Sequence, residues 1–208
     1  MQATGTAATG PGLDRVLYNC LFADDQRFFE NMKDLEALSW IYAGEQASLE
    51  RIRRICTDEG IESRVKFLAA HTALQQGIAL EEKLYFGSIL EVPMGGGYDI
   101  LAFYADSRAR YYNHAGSAII YEGGIADVDA AIAKTNEVSK AICQVIGPWE
   151  GPRLEPPTGT LARFTYLNSD GLYFGQGPVA EMSKDRMGSV ILGSGAELMS
   201  TLIAHARK

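Results

Sequence analysis

YDILAFYADSRARYYNHAGSAIIYE, residues 98–122, is the stretch on which the fold turns. Its aromatic and β-branched runs at 98–105, 108–114 and 117–122 read as short strands. Asp106-Ser107 and Ala115-Gly116 stand where two-residue hairpin turns are needed. Consecutive strands joined so tightly form an antiparallel meander. In the first strand Leu101 and Phe103 point to one side and Ile100, Ala102 and Tyr104 to the other. A strand apolar on both sides is covered on both faces, by helices, by the N-terminal part of the chain or by a second copy.

Working outward, 84–92 reads as a preceding strand that turns through 93–97. Downstream, Ile125, Val128, Ile132, Val138, Ile142 and Val145 recur at helical spacing, and the neighbouring sheet is the surface that buries them. Residues 147–159, with Pro148, Pro152, Pro156 and Pro157, form a Pro/Gly linker. Beyond it, 160–167 and 172–175 form a hairpin around Asn168-Ser169-Asp170-Gly171. A closing helix carries Val190, Leu198, Met199, Leu202 and Ile203. A hairpin-then-helix plan therefore occurs twice, at 84–146 and 160–206, within an α+β domain spanning 84–208.

Upstream, residues 13–80 read as a helical subdomain. Phe28, Met32, Leu35, Leu38 and Ile41 form one helix behind Asp24 or Asp25, stopped by Gly44. Leu49, Ile52, Ile55 and Cys56 form a second with Gly60 as its cap, and Val65, Leu68, Ala69 and Thr72 a third ending near Gly77. Residues 1–12 read as a disordered tail. The fold class expected is α+β: an antiparallel meander and a second hairpin, each followed by an amphipathic helix, with helices in front.

The 208 residues are 47% hydrophobic, which excludes global disorder, and the formal net charge of −7 disfavours a phosphate backbone as partner. The densest basic group, Arg51, Arg53, Arg54, Arg64 and Lys66, is interleaved with acids and reads as a solvated helix face. Cys20, Cys56 and Cys143 have neither the count for complete pairing nor zinc spacing. No secretory signal and no run of about 20 apolar residues is read. The expectation is a cytoplasmic protein without metal or cofactor, contacting neither nucleic acid nor membrane.

Gly95-Gly96-Gly97 leads into a strand with no lysine following, so it is read as a turn and not a phosphate cradle. Gly193-Ser194-Gly195 is read as close helix packing, and His71 and His205 as a core and a helix-end histidine. Two-residue turns would set Asp99, His114 and Ser117 in one cross-strand row, the residue types of a serine-activating relay. Ser117 would sit there in a regular strand without an oxyanion hole, so an ordinary polar pair is preferred. A three-residue turn at 114–116 would break the row. The same register places Arg110 between Phe103 and Tyr121 as a cation–π stack, read as packing ahead of anion or partner binding. Trp149 and Arg153 are the linker's candidate contact residues.

The leading functional expectation is a non-enzymatic interaction or assembly protein whose partner is another protein or itself, as a homodimer. The alternative is a small-molecule-binding or hydrolytic protein centred on Asp99, His114, Ser117 and Arg110.

Overall fold

The computed structural model describes residues 13–207; the tail expected at 1–12 lies outside them. Six strands form one antiparallel sheet in the order β4-β3-β2-β1-β5-β6. They are β1 (Tyr85–Met94), β2 (Gly97–Tyr104), β3 (Ala109–Tyr112), β4 (Ala118–Tyr121), β5 (Leu161–Asn168) and β6 (Gly171–Pro178). The meander forms as the residue pattern requires, and the second hairpin closes on Ser169-Asp170. The two units join through β1, which pairs with β2 on one side and β5 on the other. Gly95-Gly96 turn β1 into β2, the extended glycine run being a hairpin loop.

The register of the meander differs by one residue from the two-residue-turn reading. Tyr104 N–H bonds to Arg108 O at 2.9 Å and Ser107 N–H to Tyr104 O at 3.2 Å, so the loop is Ala105-Asp106-Ser107. The next hairpin repeats the device: Asn113 N–H meets Ser117 O and Gly116 N–H meets Asn113 O. Ser107 and Gly116 have φ of 64° and 87°, the left-handed third residue that lets a three-residue loop close. Because side chains alternate, a one-residue slip moves them to the opposite face. Phe103 and Tyr121 both stand opposite Ala109, while Arg110 lies between Ala102 and Ile120.

Both faces of β2 are covered within the chain. Ile100, Ala102 and Tyr104 enter a core with Tyr18, Phe22, Leu38, Trp40, Ile52 and Phe67 from the N-terminal helices. Leu101 and Phe103 enter a second core with α5 (Ala126–Cys143) and α7 (Arg186–Ala206). These two helices run antiparallel. Ser194 Oγ meets Thr135 Oγ1 at 3.0 Å, and Lys134 pairs with Glu197. Gly195 lets α7 lie close on the sheet: a Cβ there would come within 2.5 Å of Leu90 Cδ2 on β1. Three apolar positions in the periodic patterns of these two helices are exposed instead: Ile125, Val145 and Val190.

The N-terminal helices are more broken than their spacing suggests. A helix not read from sequence, α1 (Arg15–Phe22), begins at Asp14, whose carboxylate accepts Val16 N–H. The expected helix through 28–41 is a 3-10 turn, Gln26–Met32, followed by α2 (Glu36–Tyr42). Phe29 leaves helical geometry there to bury its ring, so two short segments serve one apolar stripe. α3 (Leu49–Thr57) ends at Asp58, ahead of Gly60. α4 (Ser63–Gln75) ends before Gly77, whose φ is +80°. Arg64 is not solvated as expected. It pairs with Glu62 and lies 5.7 Å from the Tyr104 ring centre.

By length and composition α7 could cross a membrane. Serines and Glu197 interrupt its apolar run. In the fold, Ile191, Leu198 and Leu202 of α7 pack into the core.

Candidate functional site

The three-residue loops break the expected Asp99–His114–Ser117 row and keep half of it. Asp99, buried on β2, accepts Tyr111 Oη–H at 2.5 Å on one oxygen. Its other oxygen takes the His114 backbone N–H at 2.9 Å and lies 2.8 Å from His114 Nδ1. Burial and the Asp99 hydrogen bond push the Tyr111 phenol up to well above its ordinary range. Ser117 stands past the turn, exposed, its N–H bound to Asn113 Oδ1 at 2.8 Å. Among the described residues no hydrogen bond joins Ser117 Oγ to His114. A nucleophile needs its base within hydrogen-bond reach. Incubation with a fluorophosphonate probe is expected to leave Ser117 unmodified by mass spectrometry; modification that disappears in His114→Ala would contradict this.

Arg110 does not stack between aromatic rings, since the register moves it to the opposite face from Phe103 and Tyr121. Its guanidinium instead donates to Ala109 O and Tyr121 O, each at 2.9 Å, and to Glu122 Oε1 at 2.5 Å. Trp149 donates its backbone N–H to Leu172 O at 2.7 Å and its indole N–H to Pro152 O. Its ring meets Phe174 edge-on, centroids 4.9 Å apart. Arg153 reaches the N-terminal helices, bonding Asp24 Oδ2 at 2.6 Å and lying 4.2 Å from the Phe22 ring centre. It belongs to the wall of a polar cleft of about 800 Å³ that also includes Tyr18, Asn19 and Arg27.

Behind that cleft lies a charged pair that the sequence reading missed. Glu91 and Arg163, on adjacent strands, are 1% and 2% exposed. Tyr18 donates to Glu91 Oε1 at 2.8 Å. Glu91 Oε2 is 3.6 Å from Arg163 Nε and has no hydrogen-bond partner. Arg163 spends its donors on Gln176 Oε1 and on the linker carbonyls of Leu154 and Glu155. Desolvation therefore dominates and holds the Glu91 carboxyl above the usual carboxylate range, the arginine opposing it. A lone acid inside the apolar run Ser88–Val92 was the available signal.

An apolar groove opens at the other face, where α5 and α7 diverge. Its floor is Phe164 and Tyr166 of β5 with Gly175 and Gly177 of β6, and its volume is about 360 Å³. Ile142 and Ile146 form one wall; Met182, from α6 (Val179–Met182), Met187 and Ile191 form the other. Met187 and, one turn on, Val190 are 41% and 53% exposed. The rim contributes Glu181, paired with Lys184 at 3.0 Å, and Asp185, which caps the N-terminus of α7. Sequence signals for this site existed in the surplus apolar Val145 and Val190 and in the Gly-Gln-Gly step of a strand, which marks close backbone approach.

No protein-family model matches the chain, and no curated protein and no solved structure matches it. Among the described residues, no three His, Cys, Asp or Glu side chains gather as a metal would require.

Proposed function

We propose that this protein is a non-enzymatic interaction protein, holding an apolar segment of another protein in the groove between the C-terminal end of α5 and α6–α7. The observation that carries this reading is the groove itself: open apolar walls on a buried aromatic floor, with Met187 and Val190 exposed beside it. Exposed, contiguous apolar surface rimmed by polar groups is the usual mark of a partner site. A second copy has less to recommend it, because the two-sided β2 finds its cover inside the chain. The three free thiols, two of them buried, fit a reducing compartment, and we assign the protein to the cytoplasm on that basis.

Selection of random phage-displayed peptides on the immobilised protein tests this. Enriched peptides are expected to bind at least about tenfold more weakly to Met187→Glu, the loss of one central apolar anchor. They are expected to bind Leu17→Glu, a change to an exposed apolar residue of α1, as they bind the unaltered protein. Binders indifferent to Met187→Glu, or no enrichment at all, would refute the reading.

A further inference from the structure

The groove opens onto the edge of the sheet, and the backbone of that edge is not fully used. The β5–β6 hairpin closes on a two-residue turn, so Asn168 and Gly171 form its first hydrogen-bonded pair. Alternation then turns the N–H and C=O of Tyr173, Gly175 and Gly177 inward to β5. Those of Leu172, Phe174 and Gln176 turn outward. The bond from Trp149 N–H to Leu172 O fits this phase, and so does Pro178, which needs no inward donor. Beyond Trp149, among the described residues, the backbone groups of Phe174 and Gln176 meet no hydrogen-bonding partner, and Gln176 is exposed.

The side chains beside this edge suit an incoming strand. A Cβ on Gly175 would touch nothing within 4 Å, whereas one on Gly177 would meet Met182 Cγ at 3.3 Å. The bare position at Gly175 leaves space on the groove side for a bulky residue of a neighbour. The two rim carboxylates are already engaged, Glu181 by Lys184 at 3.0 Å and Asp185 by the Met187 and Gly188 N–H groups, and the chain as a whole carries a net charge of −7. A partner segment carrying basic residues is therefore favoured over an acidic one.

Building on the proposed interaction role, we propose that the partner segment binds as a seventh strand: an extended peptide pairing with Phe174 and Gln176. Alternate apolar side chains enter the groove, and the basic residues between them lie on the opposite face of the sheet. Main-chain bonds give such strand addition its affinity, and the pockets for alternate side chains give it selectivity.

The probe is a synthetic seven-residue peptide of alternating valine and lysine, capped at both ends, used with the full chain. Its binding is expected to slow amide exchange at Phe174 and Gln176 by about tenfold or more, as closing an open edge should. N-methylation of one alternate set of peptide amides should abolish binding, and methylation of the other set should leave it. Replacing lysine by glutamate should weaken it. Binding that survives methylation of each set in turn, or that leaves Phe174 and Gln176 unprotected, overturns strand addition. So does failure of this peptide to bind, or protection of both amides by a dimer seen in sedimentation without peptide. If displayed peptides still depend on Met187 in those cases, the interaction role stands and only the strand mode falls; if they do not, both fall.

Discussion

Replacing Arg163 by methionine is expected to cost about 3–5 kcal/mol at neutral pH, the range found when one partner of a buried ion pair is removed. Two losses combine. The linker carbonyls of Leu154 and Glu155 lose their donors, and Glu91 is left with Tyr18 as its partner in the protein interior. The pH dependence has a definite sign. Burial already raises the Glu91 carboxyl above its unfolded value, and the arginine is the main influence holding it down. Removing that arginine raises the folded-state pKa further. A carboxyl whose folded pKa exceeds its unfolded one contributes stability that is present below the unfolded pKa and lost as pH rises through the folded pKa. Arg163→Met should therefore be less damaging near pH 5 than near pH 7.5, in urea titrations of the variant beside the unaltered protein. Adding Glu91→Gln should restore part of the neutral-pH loss and flatten its pH dependence. An equal cost at both pH values, with no coupling between the substitutions, would mean that the linker bonds alone account for it.

Replacing Ile132 by aspartate should be at least as disruptive, with about 4 kcal/mol or more lost, because an unpaired carboxylate would replace a core side chain. Ile132 has no exposed surface and lies in the core that α5 and α7 share with Leu90, Leu101 and Phe103. Arg53→Glu, on an exposed face of α3, should change stability by less than about 0.5 kcal/mol. Denaturant midpoints for the two variants measure the difference. Similar, small effects would show that the buried face of α5 is misassigned.

The helical spacing of 125–145 placed one apolar stripe on α5 and gave each member equal weight. The structure ranks them. Val128 and Ile132 are wholly enclosed, Ile142 walls the groove, and Val145 faces solvent. The reason is geometric: α5 lies against α7 for much of its length and parts from it at its C-terminal end, and a sequence period carries no record of where a neighbouring helix diverges. The candidate residues of the meander show a similar boundary. Asp99 and His114 meet across the sheet, as their types and positions suggested, whereas Ser117 and Arg110 fall elsewhere because each loop holds three residues.

What the sequence determined by itself is what short-range physics writes into it. Alternation at two residues made strands of the runs around Tyr98–Tyr121, Gly and Asp placed their turns, and the two-sided apolarity of β2 required cover on both faces. Tertiary structure decided what depends on partners distant in the chain. It chose the left-handed residues at Ser107 and Gly116 that set the register, placed β5 beside β1, and brought Tyr18 to Glu91 across 73 positions. A loop of two residues and a loop of three are close in local energy, so packing of the strands they join selects between them. The groove and the open edge of β6 arise at this level too, where the helices part over the sheet and the linker crosses the edge at Trp149, leaving Phe174 and Gln176 beyond it uncovered.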